Sequence, residues 1–142
     1  MRVLFLCTGN SCRSQMAEGF ARCIDPREIE VFSAGIEKHG MNPYAVRVME
    51  ECGIEMKYHY SKTLDDLEDV DFDLVITVCS SANESCPVFP GDVKVVHHGF
   101  EDPPKLAANC ESEEEKLGHY RRVRDEIRAF VENLAELIRK NS

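Results

Sequence analysis

Short apolar runs separated by polar segments dominate the hydrophobic pattern of this chain. Four nearly continuous runs are typical of strands buried in a parallel sheet. They occupy residues 2–6, 29–33, 72–78 and 93–96. Apolar residues three and four positions apart predict helices over residues 11–23 and from about Glu111 to Lys140. Strands alternating with helices predict a single α/β domain, with a four-stranded parallel sheet flanked by helices on both faces.

Cap residues and prolines locate a third helix and the main loops. Asn42 followed by Pro43 predicts a helix whose first turn contains the proline and that runs to about Glu51. Polar residues and prolines between positions 80 and 91 predict a loop or a short irregular helix. The stretch over residues 102–104 is also predicted to be a loop.

Length and charge narrow the classes of function. The 142 residues suit one domain spanning positions 1–142, and the formal charge of −9 argues against binding to nucleic acid or an anionic membrane surface. The apolar runs are far shorter than the roughly 20 residues of a membrane span, and the N-terminal run is too short for a signal peptide. We expect a cytoplasmic monomer whose partners are small solutes or other proteins.

The chain contains seven cysteines, an odd number that cannot all be paired. Thiols stay reduced in the cytoplasm, so this content favours catalysis, redox exchange or metal binding over structural disulfides. Free cysteine is also a common core residue, and we expect each interpretation to apply to some of the seven.

The segment from Cys7 to Ser14, between the first strand and the first helix, reads CTGNSCRS and is called the anion loop below. Its backbone N–H groups can surround a tetrahedral anion at the positive end of the helix, and Arg13 can bind two anion oxygens. We expect Gly9 to relax the steric limits on the loop and Ser14 to hydrogen-bond the Cys7 sulfur. Amide dipoles and Arg13 are expected to lower the pKa of Cys7, the candidate nucleophile.

A cysteine and an arginine separated by five residues also occur together by chance, with the cysteine as a core residue. The position at the carboxyl end of a predicted parallel strand, where ligands usually bind, favours the functional interpretation. The candidate anion-binding residues are Thr8, Gly9, Asn10, Ser11, Cys12, Arg13 and Ser14.

The segment CTGNSCRSQMAEGF resembles the active-site loop and helix of the low-molecular-weight protein tyrosine phosphatase superfamily. More specifically, it resembles the thioredoxin-coupled arsenate reductases built on that fold. The resemblance covers essentially the whole chain in order. It continues through Ser33-Ala34-Gly35, Asn42-Pro43, residues 75–79, residues 99–103 and residues 122–127. It implies a phosphatase-like fold and arsenate or a phosphate-like oxyanion as the ligand of the anion loop.

A second pair of cysteines, Cys79 and Cys86, distinguishes the reductases from the phosphatases. Cys79 follows a strand and Cys86 lies in a loop, so the pair can form a disulfide only if the segment rearranges. The resemblance implies that the Cys7 thiolate attacks arsenic while Asp102 protonates the departing oxygen. It further implies that Cys79 attacks Cys7 and releases arsenite, and that Cys86 then attacks Cys79. Thioredoxin or a similar dithiol protein would reduce the resulting disulfide. We therefore expect an oxidoreductase of arsenical resistance.

Three alternatives stay open. A phosphatase would share Cys7, Arg13 and Asp102, although Pro104 stands where tyrosine phosphatases usually place a tyrosine. A zinc site could be built from Cys79, Cys86, His97 and His98, but the two neighbouring histidines would point to opposite faces of a strand. A noncatalytic anion-binding or metal-binding protein would leave the cysteine pair without a role.

Some members of the resembled family bind potassium near the loop, and this chain departs from their pattern. Those members use the equivalents of Asn10 and Ser33 together with a Thr-x-Asp sequence after a histidine. Here His59 is followed by Tyr-Ser-Lys, so Lys62 stands where the carboxylate would be. We therefore expect no bound cofactor or metal, and Lys62 as the charge at that position.

Several residues of reactive type receive no chemical role. We expect Cys23 and Cys52 to be core or partly buried and Cys110 to be an incidental thiol. His39, His59 and His119 are expected to be surface or capping residues.

Overall fold

The computed structural model describes residues 1–24, 26–84, 86–89 and 91–140, with only the backbone described at 81, 83, 137, 139 and 140. Its strands are β1 (Arg2–Cys7), β2 (Glu30–Gly35), β3 (Leu74–Thr77) and β4 (Lys94–His97). Its helices are α1 (Arg13–Ala21), α2 (Pro43–Glu51), α3 (Ser80–Glu84), α4 (Pro103–Ala107) and α5 (Glu113–Lys140). A 3-10 turn covers Leu64–Leu67.

The four strands form one parallel sheet in the order β2-β1-β3-β4, which confirms the predicted α/β fold. Every residue of β3 is buried, as is every residue of β1 after Arg2. Because successive side chains on a strand point to opposite faces, both faces of these two strands are covered. The edge strand β4 has three exposed residues and one half-buried residue.

The strand order creates a crevice at the carboxyl ends of β1 and β3. The chain leaves β1 toward β2 on one side and later returns to pair β3 on the other side. Ligands of open parallel sheets bind at such reversals of strand order. Cys7 ends β1 and Cys79 follows β3, so the reversal brings the two thiols to the same crevice.

Helix α5 supplies a long apolar stripe to the core, as the spacing predicted. Its fully or almost fully buried members are Leu117, Tyr120, Val123, Ile127 and Val131. Each aliphatic side chain buried in this way contributes roughly 1.5–3 kcal/mol of transfer free energy. The apolar surface packs α5 against α1, α2 and α4, the helices that follow or flank the anion loop. None of the described helices is long and apolar enough to span a membrane.

One predicted loop is wrong, because residues Pro103–Ala107 form helix α4. Asp102 occupies the N-cap position in an extended conformation, and Pro103 stands in the first turn. The same order of a cap residue and a proline correctly predicted α2, where the Asn42 side chain accepts from the Tyr44 and Ala45 N–H groups. The irregular helix expected between residues 80 and 91 is present as α3.

Candidate active site

Cys7 and Cys79 face each other in the crevice, although they are far apart in the sequence. Cys79 is 71 positions from Thr8, the residue that follows Cys7. Each thiol is 4% exposed, and Cys79 shares a hydrogen bond with Cys7. The Cys79 sulfur also lies 3.2 Å from the Thr8 hydroxyl oxygen. All seven cysteines are free thiols. The structure therefore brings the candidate nucleophile and one partner cysteine into direct contact.

The expectation of a lowered Cys7 pKa does not hold for this arrangement. The hydrogen bond with Cys79 and the burial of the sulfur raise the pKa of Cys7 well above its ordinary value. The Ser14 hydroxyl and backbone N–H act in the opposite direction, because both hydrogen-bond the sulfur. Ser14 thus makes the contact predicted for it. Its lowering effect on the pKa of Cys7 is smaller than the raising effect of Cys79 and burial.

Asn10 holds the anion loop in shape. Its side chain is fully buried and its φ of 50° lies in the left-handed region, which asparagine adopts more readily than other non-glycine residues. The side-chain N–H groups donate to the hydroxyls of Ser14 and Ser33 at 2.8 and 3.0 Å. The side-chain oxygen accepts from Gln15 at 2.9 Å and from the Lys62 backbone N–H at 2.8 Å. The donors and acceptor of one amide therefore fasten the loop to α1, β2 and the segment before the 3-10 turn.

Gly9 has a different role from the one predicted, because the unusual φ belongs to Asn10 and not to the glycine. A Cβ at Gly9 would overlap Nδ1 of His39, so the imidazole ring occupies the space of a side chain. The backbone N–H groups of Glu37 and His39 donate to the carbonyls of Thr8 and Gly9 at 2.9 and 3.0 Å. His39 is a surface residue, as expected, with its side chain 49% exposed, and its ring also packs on the anion loop.

Arg13 and Asp102 meet at the other end of the loop. Arg13 donates from Nη1 to the Phe100 carbonyl at 2.9 Å, and its Nη2 lies 3.7 Å from Oδ1 of Asp102. The Asp102 side chain is 39% exposed and that of Arg13 only 12%. This arrangement leaves the Asp102 carboxyl accessible to a bound anion and to solvent, as a general acid requires.

The remaining loop residues are held by their backbones. The Ser11 carbonyl accepts from the Asn42 N–H at 3.0 Å, which joins the loop to the start of α2. Cys12 is 4% exposed, and its burial raises the pKa of its thiol. A buried thiol with a raised pKa is a poor nucleophile, so Cys12 serves the packing of the loop.

Cys86 lies beyond α3 and is half-buried. Its thiol donates weakly to the neighbouring Pro87 carbonyl at 3.7 Å, and partial burial raises its pKa. The side chain of Val88 is 98% exposed. Residues 79–89 are called the redox segment below. The structure brings Cys79 into the crevice beside Cys7, whereas Cys86 follows α3 and is partly buried against the core.

A buried charge cluster lies under the anion loop, and of its charged members the sequence predicts only Lys62. Glu18 is 1% exposed, and its carboxylate accepts from the Ser33 hydroxyl at 2.8 Å. His59 Nδ1 lies 3.0 Å from one Glu18 oxygen, and Lys62 Nζ lies 3.6 Å from the other. His59 is therefore not a surface residue. The one available signal was an acidic residue between the apolar neighbours Met16, Ala17 and Phe20 on α1.

The histidines of the alternative zinc site have other contacts. His97 Nδ1 lies 2.8 Å from the Thr77 hydroxyl, and the His98 ring stacks between Phe100 and Phe130. Within the described part of the chain, no three His, Cys, Asp or Glu side chains are placed to share a metal ion. The four proposed zinc ligands are thus not assembled here.

Sequence comparison places the chain in a known class. The family model of the low molecular weight phosphotyrosine protein phosphatases matches residues 2–142, and the chain belongs to this family. Arsenate reductase 1 of Staphylococcus epidermidis is 45% identical over 136 residues, 96% of each chain. The arsenate reductase of Bacillus subtilis is 47% identical over 134 residues, 94% of each chain.

Solved structures agree with this assignment. An arsenate reductase in the phosphate binding state superposes with a TM-score of 0.75 at 33% identity, covering 96% of this chain and 98% of that one. A low molecular weight protein tyrosine phosphatase from T. tengcongensis superposes with a TM-score of 0.74 at 29% identity, with the same coverage. The fold is therefore shared by reductases and phosphatases, and the side chains must distinguish the two activities.

Proposed function

We propose that this protein reduces arsenate to arsenite through a relay of Cys7, Cys79 and Cys86. The observation that supports this best is the contact between Cys79 and Cys7 inside the crevice. A phosphatase needs one nucleophilic thiol, whereas a reductase needs a second thiol within reach of the first. The similarity to arsenate reductases at 45–48% identity points the same way.

Arsenate would bind where the loop N–H groups and Arg13 converge. The loop lies at the N-terminus of α1, and a guanidinium can donate two parallel hydrogen bonds to a tetrahedral oxyanion. Asn10 contributes indirectly, because its buried amide fixes the backbone whose N–H groups would face the anion. No step requires a metal ion in this scheme.

The first chemical step joins Cys7 to arsenic. The Cys7 thiolate attacks the arsenic atom, and one oxygen leaves as water after Asp102 donates a proton. Because the Cys79 contact and burial raise the pKa of Cys7, its proton must be removed before attack. Ser14 stabilises the resulting thiolate through its hydroxyl and backbone N–H. We expect the rate of this step to rise with pH until Cys7 is fully ionised.

The second step transfers two electrons to arsenic. The Cys79 thiolate attacks the Cys7 sulfur, the sulfur–arsenic bond breaks with its electron pair on arsenic, and arsenite departs. A Cys7–Cys79 disulfide remains. Because the two sulfurs already share a hydrogen bond, Cys79 needs little movement to make this attack.

The third step moves the disulfide outward. The Cys86 thiolate attacks Cys79, which releases the Cys7 thiolate and leaves a Cys79–Cys86 disulfide. Five helical residues advance the chain by about 7.5 Å, more than the 4.4–6.8 Å between Cα atoms of most disulfides. Helix α3 would therefore unwind for this pair to close. An external dithiol protein, thioredoxin in our proposal, would then reduce the exposed disulfide in the cytoplasm.

Lys62 would replace the potassium ion that some family members bind near the loop. Its ammonium group is 3.6 Å from the Glu18 carboxylate that accepts from Ser33, and its backbone N–H donates to Asn10, so a second cation there would be repelled. Burial lowers the pKa of Lys62, and the Glu18 charge opposes that effect. We expect the melting temperature to be equal in potassium and sodium chloride at one ionic strength. A rise specific to potassium would contradict this assignment.

The decisive experiment measures arsenate-dependent NADPH oxidation with thioredoxin and thioredoxin reductase. We expect turnover in the wild type and its loss in Cys79→Ser and in Cys86→Ser, with hydrolysis of an aryl phosphate retained in both. Cys23→Ser is the matched control. The expectation that Cys23 is core or partly buried is wrong, because the residue follows the end of α1 and is an exposed thiol. Aryl phosphate hydrolysis without any arsenate turnover would contradict the proposal and assign the protein to the phosphatases.

A further inference from the structure

Three aromatic rings lie together where the loop after β4 meets α5. The His98 ring centroid is 4.8 Å from that of Phe100 and 4.3 Å from that of Phe130, at interplanar angles of 37° and 35°. Phe100 and Phe130 are 5.7 Å apart in an edge-to-face arrangement. These three residues are called the aromatic stack. It attaches the loop at residues 98–102 to the middle of the longest helix.

The backbone of the same loop is also attached to the two residues that precede the redox segment. The N–H of His98 donates to the Thr77 carbonyl at 2.9 Å, and the N–H of Phe100 donates to the Val78 carbonyl at 3.0 Å. Thr77 and Val78 immediately precede Cys79. This attachment therefore ends at the residue that has to move when the disulfide is transferred.

Phe100 connects both attachments to the anion loop. Its carbonyl accepts the hydrogen bond from Arg13 at 2.9 Å, and Asp102 follows two residues later, 3.7 Å from the same guanidinium. A shift of the loop would carry the Arg13 acceptor and the Asp102 carboxyl with it. The Arg13 acceptor and the Asp102 carboxyl can stay in place during the relay only if the loop is also attached to a part of the protein outside the redox segment.

We propose that the aromatic stack is that attachment, and that His98 and Phe130 are positioning residues for Arg13. The two residues need not touch the substrate. They act by fixing the Phe100 carbonyl relative to α5, so that the guanidinium stays aimed at the bound anion. The role of the aromatic stack during disulfide transfer rests on the proposed function. Its effect on the position of Arg13 applies to any tetrahedral anion that the loop binds.

The test measures binding of inorganic phosphate to the reduced full-length protein by isothermal titration. We expect Phe130→Ala and His98→Ala to raise the dissociation constant about 5- to 10-fold, because a displaced guanidinium loses part of its two-bond geometry. His98→Phe is expected to stay within about 2-fold of the wild type, since it retains a stacked ring. Phe32→Ala is the matched control, a half-buried phenylalanine that packs edge-to-face on Phe72 far from this loop.

A double-mutant cycle separates positioning from general loss of structure. In an Arg13→Lys background, Phe130→Ala is expected to weaken phosphate binding less than 2-fold, because the geometry that the stack protects is already absent. Circular dichroism and the melting temperature establish that each variant is folded. An undiminished effect in the Arg13→Lys background, or wild-type phosphate binding by Phe130→Ala, would overturn the proposal.

This readout does not depend on arsenate chemistry. If the wild type binds phosphate but never reduces arsenate, the proposed function fails while the cycle still decides the role of the stack. If the relay operates and the cycle shows no coupling, the stack is a packing feature only and the inference fails alone.

Discussion

The anion loop and the redox segment meet at one pair of thiols but are held in opposite ways. The loop is fixed by a buried asparagine whose amide makes four side-chain hydrogen bonds, and by backbone bonds to two neighbouring segments. Beyond α3, the described residues of the redox segment have few polar contacts. Phe89 packs edge-to-face on Phe72, but Val88 is 98% exposed and the Cys86 thiol bonds only weakly to its neighbour. Binding an anion with backbone N–H groups requires fixed geometry, whereas thiol transfer requires a sulfur that can travel.

The largest effect is expected from removing the Asn10 side chain, which holds the anion loop in shape. Asn10→Ala removes the acceptor of the buried Lys62 N–H, breaks the hydrogen bonds with Gln15, Ser14 and Ser33, and puts alanine at a φ of 50°. An unsatisfied buried group costs roughly 1–3 kcal/mol and each other lost hydrogen bond roughly 0.5–1.5 kcal/mol, so we expect the free energy of unfolding to fall by about 3 kcal/mol. Urea denaturation measures this change. A loss below about 1 kcal/mol would show that the loop does not depend on Asn10.

A smaller effect is expected at the contact between Gly9 and His39. Gly9→Ala forces the half-exposed imidazole off the loop, and we expect a loss of about 1–2 kcal/mol in the free energy of unfolding. In a His39→Ala background the same substitution should cost less, because the ring that occupies the space is gone. Equal costs in the two backgrounds would contradict the steric role that we assign to Gly9.

The pKa of Cys7 tests the contact between the anion loop and the redox segment. Cys79→Ala removes the largest contribution that raises the pKa of Cys7 and keeps those of Ser14 that lower it. Only the thiolate reacts with iodoacetamide, so the midpoint of its pH profile should move to lower pH. We expect alkylation of Cys7 at neutral pH to be several-fold faster than in the wild type. A midpoint that moves to higher pH would show that Cys79 assists ionisation.

The smallest effect is expected at Val88 in the redox segment. Val88→Ser exchanges a side chain that is 98% exposed, so we expect the free energy of unfolding to change by less than about 0.5 kcal/mol. Thermal unfolding of the reduced protein measures this change. A destabilisation above 1 kcal/mol would show that the segment is packed more tightly than its exposure indicates.

The sequence predicts the fold more completely than the site because the two depend on different kinds of information. Runs of apolar residues and the Asn42-Pro43 cap are local signals, and they correctly predict the four strands, α2 and α5. Helix α4 has the same local signal at Asp102 and Pro103, but two consecutive prolines are also typical of a loop.

The arrangement beneath the anion loop has no such local signal. The contacts of Glu18 with His59 and Lys62 join residues more than 40 positions apart, so neither charge nor spacing reveals them. The positions of Asn10 and Gly9 depend in the same way on residues near Ser33, His39 and Lys62. The pKa of Cys7 is the clearest example of a property that the local sequence does not predict, because it depends on Cys79, which follows a different strand.

Lys62 has a consequence for how the protein responds to its surroundings. A diffusible ion occupies its site in proportion to its concentration in the medium, whereas a charge carried on a side chain has a local concentration that the medium does not alter. The occupancy of the position beside Glu18 is therefore independent of the ionic composition of the cell. Its charge is set by its surroundings in the protein, where burial lowers the pKa of the amine and the Glu18 carboxylate opposes that effect. A covalently attached cation is thereby part of the fold and needs no exchange with the solution.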